Sequence, residues 1–382
     1  MTPTQPLGTA GAFALLSAAT LTIMVGSAIA PGLPSIAAQM GLGSNASWLI
    51  TLPALGVIVF GAAAGRLIQN WGARRALIAG LMLYGVLGVL GAFLPGLWLV
   101  LADRFLLGGA TALVMAGGTT LISEFYEGDA RLTMLARQGM SIELGGVIFL
   151  AVGGVLAGFG WQAPFALYLL AWVFLALILT QIPRHAPIGA EAAAPTGPET
   201  GGLRDVYAAA GMSMLLFFIA IVTLPRQLAD QGFSEAASGY YLSFISMVAV
   251  VAAGVMPRVI KRLRARRTLL LAFVLYGAGH AIYALQPALP GLIAAAICMG
   301  TGFAFSIPLA NHEIVERSSR AERGRNLSRL SVAIFGGQFL SSFVELATTD
   351  TASTFLGGII LAVLILLILL ATARLRTPAA AR

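Results

Sequence analysis

The sequence predicts an all-α membrane protein: twelve transmembrane helices arranged as two pseudo-symmetric six-helix bundles. Three observations carry that prediction. The 382-residue chain is 58% hydrophobic and only 10% charged, where an ordinary globular domain carries about 25% charged residues. Its apolar residues gather into twelve runs of about 20, the length that crosses a hydrocarbon core. The runs are apolar all round, unlike the alternating strands of about ten residues in a membrane barrel. Finally, a segment of the first half returns in the second. Gly65-Arg66-Leu67-Ile68-Gln69-Asn70-Trp71-Gly72-Ala73-Arg74-Arg75-Ala76-Leu77 reappears 192 residues later as Pro257-Arg258-Val259-Ile260-Lys261-Arg262-Leu263-Arg264-Ala265-Arg266-Arg267-Thr268-Leu269, with six identical positions.

The elements follow in order. The first run, about 12–34, is preceded by residues without Lys or Arg, so it reads as a retained helix rather than a basic-headed leader. Runs at about 46–67, 76–94, 97–121, 134–158 and 163–182 complete a first bundle in residues 1–182. Residues 183–203 are rich in Ala, Pro, Gly, Thr and Glu; too short and too polar to bury a core, they read as a cytoplasmic linker. Runs at about 206–227, 237–256, 268–286, 291–312, 327–349 and 352–373 make a second bundle in 204–382. Further repeats support the pairing: Leu33-Pro34 with Leu224-Pro225, Gly41 with Gly232, Ala46-Ser47 with Ala237-Ser238, and Leu83-Tyr84-Gly85 with Leu275-Tyr276-Gly277. Six spans separate equivalents, so the halves share one orientation, a parallel repeat about the membrane normal.

The net charge of +8 does not signal nucleic acid, because of where it lies. With both termini cytoplasmic, 21 of the 23 Lys and Arg fall on one side, Arg104 and Arg226 being the exceptions. That bias fixes orientation, and it makes the basic loops a contact surface for membrane lipids. The glycine pairs Gly108-Gly109, Gly117-Gly118, Gly145-Gly146 and Gly153-Gly154 suit close helix packing. Trp48, Trp98 and Trp161 sit near outer ends, as lipid-anchoring aromatics do. The single cysteine, Cys298, lies inside a span and has no partner for an intramolecular disulfide.

At this point the residues resemble a known family, the major facilitator superfamily, and are most similar to its twelve-helix drug–proton antiporter branch. The loop motif between helices 2 and 3 is matched by Gly65, Leu67, Trp71, Gly72 and Arg74-Arg75, with Gln69 where the family has an acid. The resemblance implies that Gly65, Gln69, Gly72, Arg74 and Arg75 form a conformational latch on the cytoplasmic face. A neutral Gln69 supplies a hydrogen bond but no ion pair, so the latch is expected to lean on lipid phosphates or on acids such as Glu124, Glu313 and Glu316. The helix 4 motif appears as Arg104-Phe105-Leu106-Leu107-Gly108, and in the family that arginine lines the cavity and couples to proton or substrate. The helix 5 antiporter motif is matched by Gly145-Gly146 and Gly153-Gly154, with Phe149-Leu150 in place of Gly-Pro.

Charges inside a bilayer are costly, about 2.5–3.5 kcal/mol each on insertion scales, and need a reason. Arg104 is the first candidate for proton coupling or substrate binding; its structural alternative is an anchor bonded to backbone carbonyls. Asp103 precedes it, and successive helical residues diverge by about 100°, so the two are not expected to pair. Glu143 lies twelve residues past Arg131, about 18 Å deeper and near the midplane; a carboxyl there is a candidate proton carrier unless Ser141, Arg137 or a neighbouring helix satisfies it. Glu345, His280, Gln338 and Asn311 follow as polar groups of the second bundle. His280 competes with an ordinary packed histidine, Glu345 with a residue reaching water, and Asn311 with a plain helix end.

These observations point to secondary transport by alternating access: proton-coupled efflux of a small amphipathic or drug-like molecule, or proton-linked uptake of a small organic anion held by Arg104. A polytopic lipid-modifying enzyme would need convergent acid, base or metal groups, and a channel would not account for the repeat and linker. The sequence has no phosphate-binding loop, metal-ligand cluster or nucleophile motif. No cofactor or metal is expected. The expected partners are a small-molecule substrate, protons and membrane lipids, the expected state is a monomer, and the expected place is a bacterial inner membrane.

Overall fold

A computed structural model describes residues 7–183, 203–319 and 322–375, with the side chains of 372–375 undescribed. Most of the linker expected at 183–203 therefore lies outside the described residues. The helices are α1 (Thr9–Ser27), α2 (Leu33–Gln39), α3 (Trp48–Trp71), α4 (Ala73–Leu90), α5 (Leu97–Phe125), α6 (Gly128–Ala157), α7 (Leu170–Gln181), α8 (Arg204–Asp230), α9 (Glu235–Ala284), α10 (Leu289–Arg317), α11 (Arg323–Leu346) and α12 (Thr351–Leu375).

Eleven helices among the described residues are long and apolar enough to cross a membrane, against twelve expected runs. The difference lies in α9. Its 50 residues would extend about 75 Å, far more than the roughly 30 Å a bilayer core needs. It is interrupted at Arg264, where φ is 65° and ψ 156°, and so contains two of the twelve runs. Two other runs depart from a single uninterrupted helix. The run at 12–34 ends as a helix at Ser27 and resumes as α2, with Pro34 in its first turn. The sixth run opens with a 3-10 segment, Ala163–Leu169, before α7.

The repeat is visible in backbone geometry. Gly72, between α3 and α4, has φ 85° and ψ 151°, and its counterpart 192 residues on is Arg264, in nearly the same conformation. Gly41 and Gly232 both have positive φ and close matching helix ends. Leu42 donates its N–H to Ala37 at 3.0 Å and Gly41 to Ala38 at 3.4 Å; Phe233 donates to Leu228 and Gly232 to Ala229, each at 2.9 Å. This is the six-to-one and five-to-two pattern of a glycine-capped helix. Arg74 donates from Nε to Ile182 O at 2.9 Å and from Nη2 to Leu179 O at 3.1 Å, capping the end of α7. Arg266, its counterpart, donates from Nη2 to Leu369 O on α12.

The chain divides into two compact units: the described residues of Met1–Ala193 with Leu228–Ser246, and those of Ala194–Gln227 with Met247–Arg382. In the first unit α3 and α5 meet at glycines; a Cβ on Gly56 would lie 2.1 Å from Phe105 O, and one on Gly108 2.1 Å from Pro53 O. The start of α9 belongs to this unit because α6 meets it without side chains. A Cβ on Gly154 would fall 2.6 Å from Glu235 O and 2.7 Å from the Gly239 Cα. Ser243 Oγ donates to Val147 O at 2.7 Å, and Ser35 Oγ on α2 donates to the Glu235 carboxylate. In the second unit α8 and α11 approach through Gly211 and Gly337, where a Cβ would lie 1.9 Å from Gly211 O.

Candidate functional site

Arg104 is fully buried within the first unit. Its Nε and Nη2 donate to Asp103 Oδ2 at 3.0 and 2.6 Å. Its Nη2 also reaches Leu87 O at 2.9 Å and Gly88 O at 3.2 Å, and its Nη1 reaches Tyr168 Oη at 3.4 Å. The guanidinium carbon lies 5.6 Å from the Phe165 ring centre and 5.5 Å from that of Tyr168, within cation–π range. The expectation that Asp103 and Arg104 do not pair is corrected: they form a buried ion pair. The 100° between successive residues applies at the backbone, and a side chain as long as arginine bends back across it. Gly91 leaves the space, since a Cβ there would fall 2.0 Å from Arg104 Nη2.

Two tyrosines complete this cluster, and neither was among the candidates. Tyr168 Oη donates to Val25 O at 2.8 Å and Tyr84 Oη to Leu21 O at 2.7 Å, so both tie the cluster to α1. Tyr84 lies within the repeated Leu-Tyr-Gly, a signal that could have found it; nothing in the sequence marks Tyr168.

Glu143 is half-buried on α6. Among the described residues its carboxyl has no hydrogen-bond or ion-pair partner, so neither Ser141 nor Arg137 satisfies it. Helical spacing puts Glu143, Val147, Leu150 and Gly154 on one face. Val147 O accepts from Ser243, and a Cβ on Gly239 would meet Leu150 O at 2.6 Å. Glu143 is the next residue along the stripe that packs on the start of α9, one turn beyond Val147. Behind it, Gly145 and Gly146 pack on Thr20 and Ile23 of α1.

The remaining candidates lie in the second unit. His280 is fully buried in the second unit, with Nε2 3.0 Å from Leu216 O and its ring against Phe355. A Cβ on Gly358 would lie 2.7 Å from its Nδ1, so the ring fills the gap between α8 and α12. Gln338 is buried on α11 and Glu345 half-buried near that helix's end. Asn311 is exposed inside α10, six residues before its end at Arg317, and its Nδ2 donates back to Ile307 O of the same helix at 3.1 Å. In the loop motif Gly65 and Gly72 are half-buried, Gln69 and Arg75 are exposed, and Arg74 caps α7.

Comparison with known proteins agrees with this architecture. The chain matches the family described as Major Facilitator Superfamily over residues 15–204 and 206–382. It is similar to the D-xylose transporter of Levilactobacillus brevis, 32% identical over 38% of this chain and 33% of that protein. It is similar to the probable actinorhodin transporter of Streptomyces coelicolor, 26% over 53% and 35%, and to multidrug resistance protein 2 of Bacillus subtilis, 26% over 40% and 40%. The matches thus span 33–40% of the length of these relatives. In fold it is similar to peptide transporter POT crystallised with sulfate, with TM-score 0.76, 15% identity and coverage of 97% and 96%. It is also similar to nucleoside transporter NupG, with TM-score 0.73, 16% identity and coverage of 94% and 99%.

Proposed function

The chain belongs to the Major Facilitator Superfamily, and we propose that it is a secondary transporter, not an enzyme, exporting small amphipathic, drug-like molecules in exchange for protons. Glu143 carries this reading: an unpartnered carboxyl inside a membrane-spanning helix, on the stripe of α6 that packs on the start of α9. Unpaired charge at that depth is costly, so binding a proton and burying Glu143 favour each other, and release follows when the stripe separates and water enters. Alternating access supplies that cycle. Two of the relatives above are named for actinorhodin and for multidrug resistance, which supports an amphipathic cargo.

Arg104 takes a different role from the one the family resemblance implied. With its guanidinium engaged by Asp103, Tyr168 and two carbonyls, it is a positioning residue that holds α4, α5 and the 3-10 segment together. That weighs against uptake of an organic anion held by Arg104. The basic loops, on this reading, face the cytoplasm, with the segment 183–203 linking the bundles there.

The test is Glu143→Gln in proteoliposomes under an imposed pH gradient, with ethidium as the amphipathic probe. Gradient-driven ethidium movement should be lost, while exchange of labelled for unlabelled ethidium without a gradient persists. Unchanged gradient-driven movement would remove Glu143 from the mechanism.

A further inference from the structure

The face of α6 that carries Glu143 continues past it toward the end of the helix that bears Arg131 and Arg137. Gly139, Ala136, Leu132 and Asp129 lie four, seven, eleven and fourteen residues before Glu143, steps that stay on one helical face. Burial falls steadily along it. Gly154 and Leu150 are buried, Val147 and Glu143 are half-buried, and Gly139, Ala136, Leu132 and Asp129 are exposed. The closed length packs on the start of α9 through glycine backbone and the Ser243 hydrogen bond. On the open length, a Cβ on Gly139 would meet nothing within 4 Å among the described residues. Glu143 stands at the border between the two, about 21 Å along the helix from Asp129.

A second exposed face of the same helix gives an independent comparison. Met140, Leu144, Ile148 and Val152 form an exposed ridge made wholly of large apolar side chains, the composition that hydrocarbon favours. The Glu143 face lies about 100° round the helix from that ridge. Its open length offers a glycine, an alanine, one leucine and an acid instead. Gly139 presents backbone rather than a side chain, and glycine exposes that backbone to solvent. An acid stands at each end of the open length, and acids are costly to set against hydrocarbon. Water, not acyl chain, is the medium that suits this face.

We infer that the open length of this face is the water route to Glu143, entered past Asp129 and Ala136, and that Gly139 sets its width. The inference rests on the reading of Glu143 as proton carrier and adds the side with which that carrier exchanges. The carboxyl O–H of Glu143 breaks and its proton passes to a water on the route. The carboxylate stays on Glu143, and the hydronium leaves at the Asp129 end. The packed glycine backbone beyond Val147 bars the same transfer toward the other end of α6.

The experiment starts from full-length Cys298→Ser, because Cys298 is the one cysteine of the chain. Single cysteines then replace Gly139, Ala136, Met140 and Leu150, and a charged, membrane-impermeant thiosulfonate is applied to each face of reconstituted vesicles. A thiol reacts as its thiolate, which water supports and apolar surroundings suppress. Gly139→Cys and Ala136→Cys should react about tenfold faster from the face bearing the basic loops than from the opposite face, and about tenfold faster than Met140→Cys or Leu150→Cys. Gly139→Cys as slow as Met140→Cys would mean that acyl chains cover this face. Faster reaction from the opposite face would mean that the route opens the other way. Either result would overturn the inference.

Gly139→Leu places a side chain on the route one turn from Glu143. Leucine is a better helix former than glycine and the position is open, so the thermal midpoint should not fall. Ethidium-dependent proton release should slow about tenfold, and Gly139→Ala should slow it less. An unchanged rate in Gly139→Leu would overturn the part given to Gly139. The route and the carrier fail separately. Unchanged coupling in Glu143→Gln with the expected labelling would remove Glu143 as carrier and leave the water route standing. Lost coupling in Glu143→Gln with the reversed labelling would keep the carrier and overturn the route.

Discussion

Arg104 is bound so closely by its own bundle that its replacement should be read first in stability. Removing one member of a buried ion pair leaves the other charged and unsatisfied, a loss of about 3–5 kcal/mol. Arg104→Gln is therefore expected to lower the thermal midpoint sharply, and Arg104→Lys to lower it less, because a point charge cannot hold Asp103, Tyr168 and two carbonyls together. Ligand titration of the folded fraction separates this from a binding role: positioning predicts an unchanged Kd for ethidium in Arg104→Lys, and direct substrate contact predicts a weaker one with a normal midpoint. That Arg104 and Glu143 need a reason inside a membrane is legible in the sequence. The pairing of Arg104 with Asp103 is not, because helical periodicity fixes the Cβ direction while a long side chain can reverse it. Tyr168 is invisible for another reason: its contacts with Arg104 and Val25 join residues 64 and 143 positions away.

At the scale of elements, the turn between the two runs in α9 has the backbone of Gly72 with an arginine in it. A residue other than glycine in that region costs about 1–3 kcal/mol, so Arg264→Gly is expected to raise the thermal midpoint, and Gly72→Ala to lower it. A fall on Arg264→Gly would mean that the side chain contributes more than the turn costs. Asp350 caps α12: Ser353 N–H donates to Asp350 Oδ1 at 2.8 Å. That backbone hydrogen bond, aided by the Thr349 and Ser353 side chains, holds the Asp350 carboxyl below its usual value. A depressed folded pKa contributes stability above the unfolded value, about 3.9, and loses it as pH falls through the folded one. Amide exchange at the start of α12 should therefore quicken only below about pH 4, and Asp350→Asn should remove that dependence. The basic arginines at 74–75 and 266–267 are legible as an orientation signal; that Arg74 also caps α7 and Arg266 also bonds a carbonyl of α12 is not, since the carbonyls they meet lie 105 and 103 residues away.

Across the whole molecule, the repeat is the part of the architecture that the sequence exposes most fully, because positions 191 or 192 residues apart keep similar backbone turns, at the identical pair Gly41 and Gly232 and at Gly72 and its arginine counterpart Arg264. The grouping of Leu228–Ser246 with the first six spans is not legible, since it rests on two glycines, Gly154 and Gly239, whose lack of a side chain is informative only once their helices are seen to touch. Gly154→Leu would place atoms into Glu235 O and the Gly239 backbone. It should disfavour the packing of α6 on α9 and slow exchange transport, with labelling of a cysteine placed at Ser243 rising as the contact opens; unaltered labelling would show that the contact does not change during the cycle. On the proposed mechanism Glu143 couples proton movement to an amphipathic cargo. Its most direct test is proton release from acid-loaded proteoliposomes, followed with a trapped pH dye as ethidium is added outside. Ethidium-dependent alkalinisation is expected with the native protein and none with Glu143→Gln; equal alkalinisation in the two would rule out the coupling role of Glu143.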